Sequence, residues 1–250
     1  FQECKNTDIQ FCYGFPNPNS FGGFINRLEF QDLGIIPLYI RIFSPFRLVL
    51  KKLGLGLTTG IQRSFGSNIC VDNCPDCYRI VTIDKGNIDY INEFWRLVRD
   101  KYPIMVIRDK QYMLWRYIEI PIREYTIKMI FENEKPVGYL IYRITDVNGI
   151  KCGMIVDFLV LEGKVKAGKS LVEYAAKKFK KEKVELSGCL MQKHFEEAEI
   201  LRKAGYFICP KSLEPQPFPV ILRILNDKMK KEDVGIFQNW FLTMGDYDAV

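Results

Sequence analysis

The residues of this 250-residue chain best placed by type and spacing to do chemistry lie at Gly163-Lys-Val-Lys-Ala-Gly168-Lys169-Ser170. Two glycines five apart, followed by Lys and Ser, match the loop whose backbone amides cradle phosphates in nucleotide hydrolases. The apolar run Gly153 to Leu161 precedes the loop, and the helix-like run SLVEYAAKKFKKEK follows it. Such a junction suits an anion for a local reason. The first amides of a helix have no partner inside it, and the helix dipole adds partial positive charge there. Lys164, Lys166 and Lys169 would add more. A nucleotide hydrolase needs a largely parallel sheet of βα units and a later Asp for Mg²⁺. Here an antiparallel pattern precedes the loop and no strand after it ends in Asp. The context favours a bound phosphate or pyrophosphate over nucleotide hydrolysis.

Other candidates are single residues. Asp157 interrupts an otherwise apolar strand, and a buried carboxylate is costly unless it is bonded. It is a candidate general base or a structural acid held by backbone or Arg. His194 is the only histidine and stands at the start of a helix, where it could be a base or a cap. Tyr206 follows Gly205 and is either a proton donor or core. Trp240, Asp246 and Asp248 near the end could face an amine, or pack and solvate a terminal segment. Cys70, Cys74 and Cys77 in CVDNCPDC have the C-x3-C-x2-C spacing of iron-cluster ligands. Asp76 departs from the aromatic usual in the radical-SAM form of that motif, and no nearby Cys or His completes a zinc site. A loop of thiols is the plainer reading, with no metal. Cys4, Cys12, Cys152, Cys189 and Cys209 are scattered and read as buried thiols.

These residues need elements to hold them. YRIVTI reads as a strand, and Ile88, Ile91, Phe94, Trp95 and Val98 recur at helical spacing. KQYMLWRYI predicts a short helix ending at Pro121. From Tyr125 to Leu161, three apolar runs separated by the turns NEK and VNG predict an antiparallel meander whose third strand is central. Leu171, Val172, Ala175, Ala176 and Phe179 then form one helical stripe, with Lys177, Lys178, Lys180 and Lys181 off it. VELSGCL, a helix over 193–203 and FPVILRIL complete the order β-α-α-β-β-β-α-β-α-β. The first 45 residues repeat the end of that order. DIQFCYGF is a strand, NSFGGFINRLEF a helix capped by Asn19 or Ser20, and GIIPLYIRIF a strand. INRLEF matches LRKAGY, and IPLYIRI matches PVILRIL, so a second copy of the same fold is expected to end there. Residues 46–78 read as a Gly-, Ser- and Lys-rich connection.

The net charge of +6 fits an anionic ligand and is too small to argue for nucleic acid. No apolar run is long enough to span a bilayer and no signal peptide is visible, so the simplest expectation is a cytoplasmic protein.

Over residues 79–225 the element order resembles the GNAT-type N-acyltransferase fold, and 1–45 resembles the end of a preceding unit. The whole chain, including YGFPNPNS and WFLTMGDYD, is similar to bacterial acyltransferase-like proteins associated with polysaccharide biosynthesis. The resemblance implies an α+β fold, a mixed and mostly antiparallel sheet flanked by helices. It divides the chain into 1–50 (the end of a first domain), 51–78 (linker) and 79–250 (a complete domain). It implies acetyl-CoA or another acyl-CoA, held near Phe158, Leu159, Leu161, Gly163, Lys164, Lys166, Gly168, Lys169 and Ser170. The acyl group would pass to the amine of a small molecule, such as an amino sugar or aminoacyl group. Strand amides near Phe158 and Leu159 would steady the oxyanion. Two departures matter. Lys166 stands where the family loop has its first Gly, and Leu201 where many members have a Tyr acid. They keep open a non-catalytic ligand- or partner-binding module of the same fold. The oligomeric state is not legible.

Overall fold

The computed structural model describes residues 9–45, 72–73, 78–225 and 231–247. Cys4, Cys70, Cys74, Cys77, Asp248 and most of the expected linker lie outside them.

Strands β1 (Phe11–Gly14), β2 (Gln31–Ile35) and β3 (Leu38–Ile42) flank helix α1 (Pro18–Leu28) at the start of the chain. Strand β4 (Asp72–Asn73) follows, then β5 (Tyr78–Ile83), α2 (Asp89–Val98), β6 (Ile104–Met105) and α3, which runs Lys110–Met113 and continues as a π turn over Leu114–Ile118. The meander is β7 (Thr126–Glu132), β8 (Lys135–Val147) and β9 (Ile150–Val160). Then come α4 (Val165–Lys181), β10 (Leu186–Leu190), α5 (Glu196–Lys203), β11 (Phe207–Ile208) and β12 (Pro219–Ile224). Helix α6 (Lys231–Val234) and β13 (Trp240–Phe241) lead to a 3₁₀ turn at Met244–Asp246.

The main sheet has the order β11-β3-β10-β9-β8-β7-β5-β4, and only β9 and β10 run parallel within it. Helices cover both faces. Tyr139 meets Phe94 of α2 edge-on while Tyr142 meets Phe179 of α4, and their odd spacing along β8 points them to opposite sides. The stripe expected on α4 is the buried one, and Lys177, Lys180 and Lys181 face solvent. Cys152, Cys189 and Cys209 are buried and Cys12 half-buried. Among the described residues no helix is long and apolar enough to cross a membrane.

Two local expectations change. Asn17, not Asn19 or Ser20, caps α1, accepting from the Ser20 amide at 2.9 Å. GIIPLYIRIF is two strands, because Pro37 has no N–H to continue a ladder. At that break Ile36 donates to the Phe218 carbonyl, and the chain changes sheets.

The change of sheets produces a reciprocal arrangement. β3 lies between β10 and β11, antiparallel to both, while β12 lies between β1 and β2, antiparallel to both. Each β-α-β unit therefore surrounds the strand that follows the other unit. Side chains repeat the pattern. Arg41 of β3 donates to the carbonyl of Ala204, at the end of α5. Arg223 of β12 donates to the carbonyl of Leu28, at the end of α1. The next residues, Gly205 and Glu29, both take left-handed φ, and the aromatics Tyr206 and Phe30 are buried after them. Segments from both ends of the chain thus share each sheet.

Candidate functional site

The site begins where β9 and β10 part. Their pairing runs from Cys152↔Leu186 to Ile155↔Cys189 and stops. At the same point β9 slips by one residue against β8, with Asp157 opposite Ile141 and Ile155 opposite Tyr142. Val156 is therefore a bulge, which bends a strand away from its neighbour. Beyond it, Asp157 to Val160 stay paired to β8 but not to β10. A wedge opens between the strands, with Asp157 at its base.

Asp157 is buried and its Oδ2 accepts from Arg108 Nε at 3.0 Å and Tyr139 Oη at 3.1 Å. Arg108, also fully buried, reaches Asp246 Oδ2 with Nη2 at 2.6 Å. Asp246 is fixed in turn by a capping box with Thr243, whose amide it accepts at 2.8 Å. One guanidinium thus joins two carboxylates from distant segments. Burial raises the pKa of Asp157, opposed by Arg108 and reinforced by Asp246. Tyr117 and Tyr139 are pushed well above the ordinary phenol range, chiefly by burial and next by Asp157. The second oxygens, Asp157 Oδ1 and Asp246 Oδ1, are buried without a hydrogen-bond partner among the described residues.

A cavity of about 800 Å³ adjoins this cluster, lined by Tyr13, Val106, Tyr112, Trp115, Arg116, Glu119, Ile120, Pro121, Gly245 and Asp246. Burial and then Asp246 push the Tyr13 phenol up to about 12. The π turn carries Trp115 and Arg116 into the wall, and such turns recur at functional sites. Of the expected substrate residues among those described, Asp246 borders this cavity. Trp240 is buried in the second core, its indole donating to the Val234 carbonyl.

The open mouth of the wedge is occupied by the protein's own side chains. Past Ile155 this edge of β9 has no neighbouring strand among the described residues, yet at Val160 both of its groups are engaged. The amide reaches Glu197 Oε1 at 3.3 Å and the carbonyl accepts from Lys101 Nζ at 2.8 Å. Lys101 also bonds Glu197 at 2.8 Å, and Tyr102 donates to Glu197 Oε2. Glu196 accepts from the Gly163 amide at 3.1 Å. Phe241 stacks on Tyr102 with centroids 4.4 Å apart and the planes at 6°. Each carboxylate comes from the first turn of α5, where the dipole favours it.

The loop residues are arranged differently from a phosphate cradle. Helix α4 starts at Val165, so Gly168 lies one turn inside it with its amide on the Lys164 carbonyl. Its missing Cβ is what lets α4 approach; a methyl there would lie 2.6 Å from Ile200 Cδ1 and 3.1 Å from Val160 Cγ1. Gly163, at φ +75, makes the turn. Lys164 pairs with Glu132 and Lys169 with Glu173. Lys166 is exposed, Leu161 and Ser170 are half-buried, and Phe158 and Leu159 lie wholly in the core. His194 is exposed beside a groove of about 440 Å³, with Nε2 3.0 Å from the Gln238 carbonyl. Tyr206 is buried and its hydroxyl shares a 2.7 Å bond with Ser187. None of His194, Tyr206 or the loop joins the Asp157 cluster. Arg108, Arg116, Tyr112, Tyr117, Tyr139 and Tyr13 complete that cluster and its cavity without a sequence signal of their own.

No family model and no curated protein matches the chain. Solved structures do. A GCN5-related N-acetyltransferase from Anabaena variabilis aligns at TM-score 0.56 and 12% identity, over 90% of this chain and 48% of that one. A conserved protein from Enterococcus faecalis described as a probable N-acyltransferase aligns at 0.53 and 11%, over 90% and 47%. Saccharomyces cerevisiae N-myristoyltransferase with bound myristoyl-CoA and inhibitors aligns at 0.51 and 11%, over 88% and 53%. The fold is thus the GNAT-type N-acyltransferase fold, and the chain spans about half the length of these structures. Acyl-CoA does not fit the β9/β10 wedge in this arrangement. The strand-edge groups of Val160 and the Gly163 amide already hold Lys101, Glu197 and Glu196.

Proposed function

We propose that the chain serves acyl transfer to an amine, as the part of an acyl-CoA-type N-acyltransferase that binds the acceptor. The carrying observation is a contrast between two clefts of one fold. The wedge at β9 and β10 is closed by Lys101, Glu196 and Glu197, while the 800 Å³ cavity beside Asp246 stands open. An acceptor amine must reach the site from solvent and lose a proton to attack, and of the two clefts the open cavity is the one that can admit it. The reciprocal strands support reading the N-terminal unit as a second copy, to whose cleft the donor would belong. Calorimetry of the chain with acetyl-CoA, CoA and Mg·ATP tests this. No binding of any of the three is expected. Acetyl-CoA binding that Lys101→Ala changes overturns it, and Mg·ATP binding lost in Lys169→Ala restores the nucleotide reading.

The bulge at Val156 favours a second reading, in which this wedge is itself catalytic and Asp157 is the base. That reading needs Glu196 and Glu197 to swing out, and acetyl-CoA binding in the same titration supports it.

A further inference from the structure

We propose that the cavity between β1, α3 and the C-terminal 3₁₀ turn takes its ligand carboxylate first, on Arg116, and that the ligand is an acid with an aromatic or large apolar body. This rests on reading the cavity as the acceptor's, and it fixes which end of the acceptor enters. Tyr112, Trp115, Arg116 and Glu119 follow one another at helical spacing, and the stripe they form lines the cavity. Arg116 is only 8% exposed. Its Nε and Nη2 hold the Gly245 and Tyr247 carbonyls at 3.1 and 3.3 Å, and it makes no ion pair among the described residues. Its Nη1 has no bond among those residues, yet it is not one of the atoms closed to solvent. A largely desolvated guanidinium without a counter-ion is suited to an anion from outside, and its planar fork fits a carboxylate.

The side-chain groups left open on the wall are donors. The Tyr13 and Tyr112 hydroxyls have no partner among the described residues and, unlike that of Tyr39, are not closed to solvent. Burial and then Asp246 raise both phenols, so each keeps the proton it would share. Several acceptors are occupied or shut away. The Val106 carbonyl takes Arg108 Nη1 at 2.9 Å, the Gly245 carbonyl takes Arg116, and Glu119 pairs with Lys85 at 3.0 Å. Asp246 borders the cavity, but its side chain has no exposed surface and Arg108 holds it at 2.6 Å. An ammonium finds no open carboxylate among these residues, whereas a carboxylate finds a guanidinium and two hydroxyls. One guanidinium matches the single charge of a carboxylate rather than the double charge of a phosphate. Val106, Ile120, Pro121 and the two phenol rings suit an apolar body. Trp115 stands beside them with 68% of its surface exposed, where an indole can cover a bound ring. The amine to be acylated then lies towards the open end.

The test is calorimetry of the whole chain with 3-phenylpropionate, its neutral amide, phenethylamine and phenyl phosphate. 3-Phenylpropionate is expected to bind, with each of the other three weaker by about tenfold or more, the scale of one lost charge-assisted bond. Tyr112→Phe keeps the ring and removes a hydroxyl that bonds nothing described, so the fold persists. It is expected to weaken 3-phenylpropionate about tenfold, as is Trp115→Ala, whose side chain is mostly in solvent. The amide, phenethylamine or phenyl phosphate binding as well as 3-phenylpropionate overturns the proposal. So does an unchanged affinity in both variants, or no binding of 3-phenylpropionate at all. The acetyl-CoA titration separates the two claims. 3-Phenylpropionate and acetyl-CoA both binding sinks only the closed wedge, whereas neither binding sinks only the carboxylate site.

Discussion

Asp157, Arg108 and Asp246 hold three charges in a site from which solvent is excluded. Such a cluster contributes little net stability when intact, but removing its centre is expensive. Arg108→Ala leaves two buried carboxylates without their cation and is expected to cost about 3–5 kcal/mol, read from the urea midpoint. Asp157 behaves differently because burial raises its pKa. The folded protein then binds a proton more tightly at this site than the unfolded chain. The associated stability is present below the ordinary carboxylate pKa of about 3.9 and is lost as pH rises through the raised value. Asp157→Asn removes that dependence. Across pH 4 to 8 the wild type is expected to lose stability relative to the variant, and parallel pH profiles would contradict the assignment. That Asp157 needs a partner was legible because an acid inside an apolar run must find one. The partner was not, since Arg108 lies 49 residues away and nothing local marks an arginine as paired. Trp240 and Tyr206 illustrate the opposite limit. A large aromatic gives the same sequence signal at a binding surface and in a core, and packing made both of them core.

At the scale of elements, period carried most of the reading. The meander, its central third strand and the α4 stripe follow from alternation and 3.6-residue spacing, which depend only on which face is buried. What failed depended on where one element stops against another. GIIPLYIRIF reads as continuous until Pro37 is given a neighbour to fail to bond. Gly168 reads as a phosphate-loop glycine until α4 is found to start at Val165, which turns the same residue into a point of close helix packing. The two roles make opposite predictions. For a cradle, Gly168→Ala would impair anion binding and leave stability nearly unchanged. For packing, Ala gains about 1 kcal/mol of helix propensity but loses about 1–3 kcal/mol to overpacking against Ile200, Val160 and Phe158. We expect a lowered thermal midpoint and an unchanged titration with inorganic pyrophosphate. A stabilised variant would remove the packing argument.

For the whole molecule, the reciprocal placement of β3 and β12 decides how the chain comes apart. Had each unit kept its own following strand, a β1–α1–β2 unit could open while the main sheet stayed closed. Here β12 is the middle strand of β1-β12-β2, and β3 is an inner strand of the main sheet. The Ile36–Pro37 crossing ties them within a few residues, and Ile36, Leu38, Ile40, Val220 and Leu222 share one core. Removing β3 leaves β10 and β11 with unpaired edges, and removing β12 leaves β1 and β2 so, each with buried backbone groups to satisfy. The two sheets should therefore open as one cooperative unit. Native-state hydrogen exchange tests it directly. Amides of β3, β10 and β12 are expected to exchange with a common opening free energy, matching global unfolding. Ile40→Ala and Val220→Ala, each removing buried atoms, are expected to cost about 2–4 kcal/mol, and to lower protection in both sheets equally. Protection lost only around β1, β12 and β2 on Val220→Ala would mean that the two units fold independently and that the exchange of strands does not couple them.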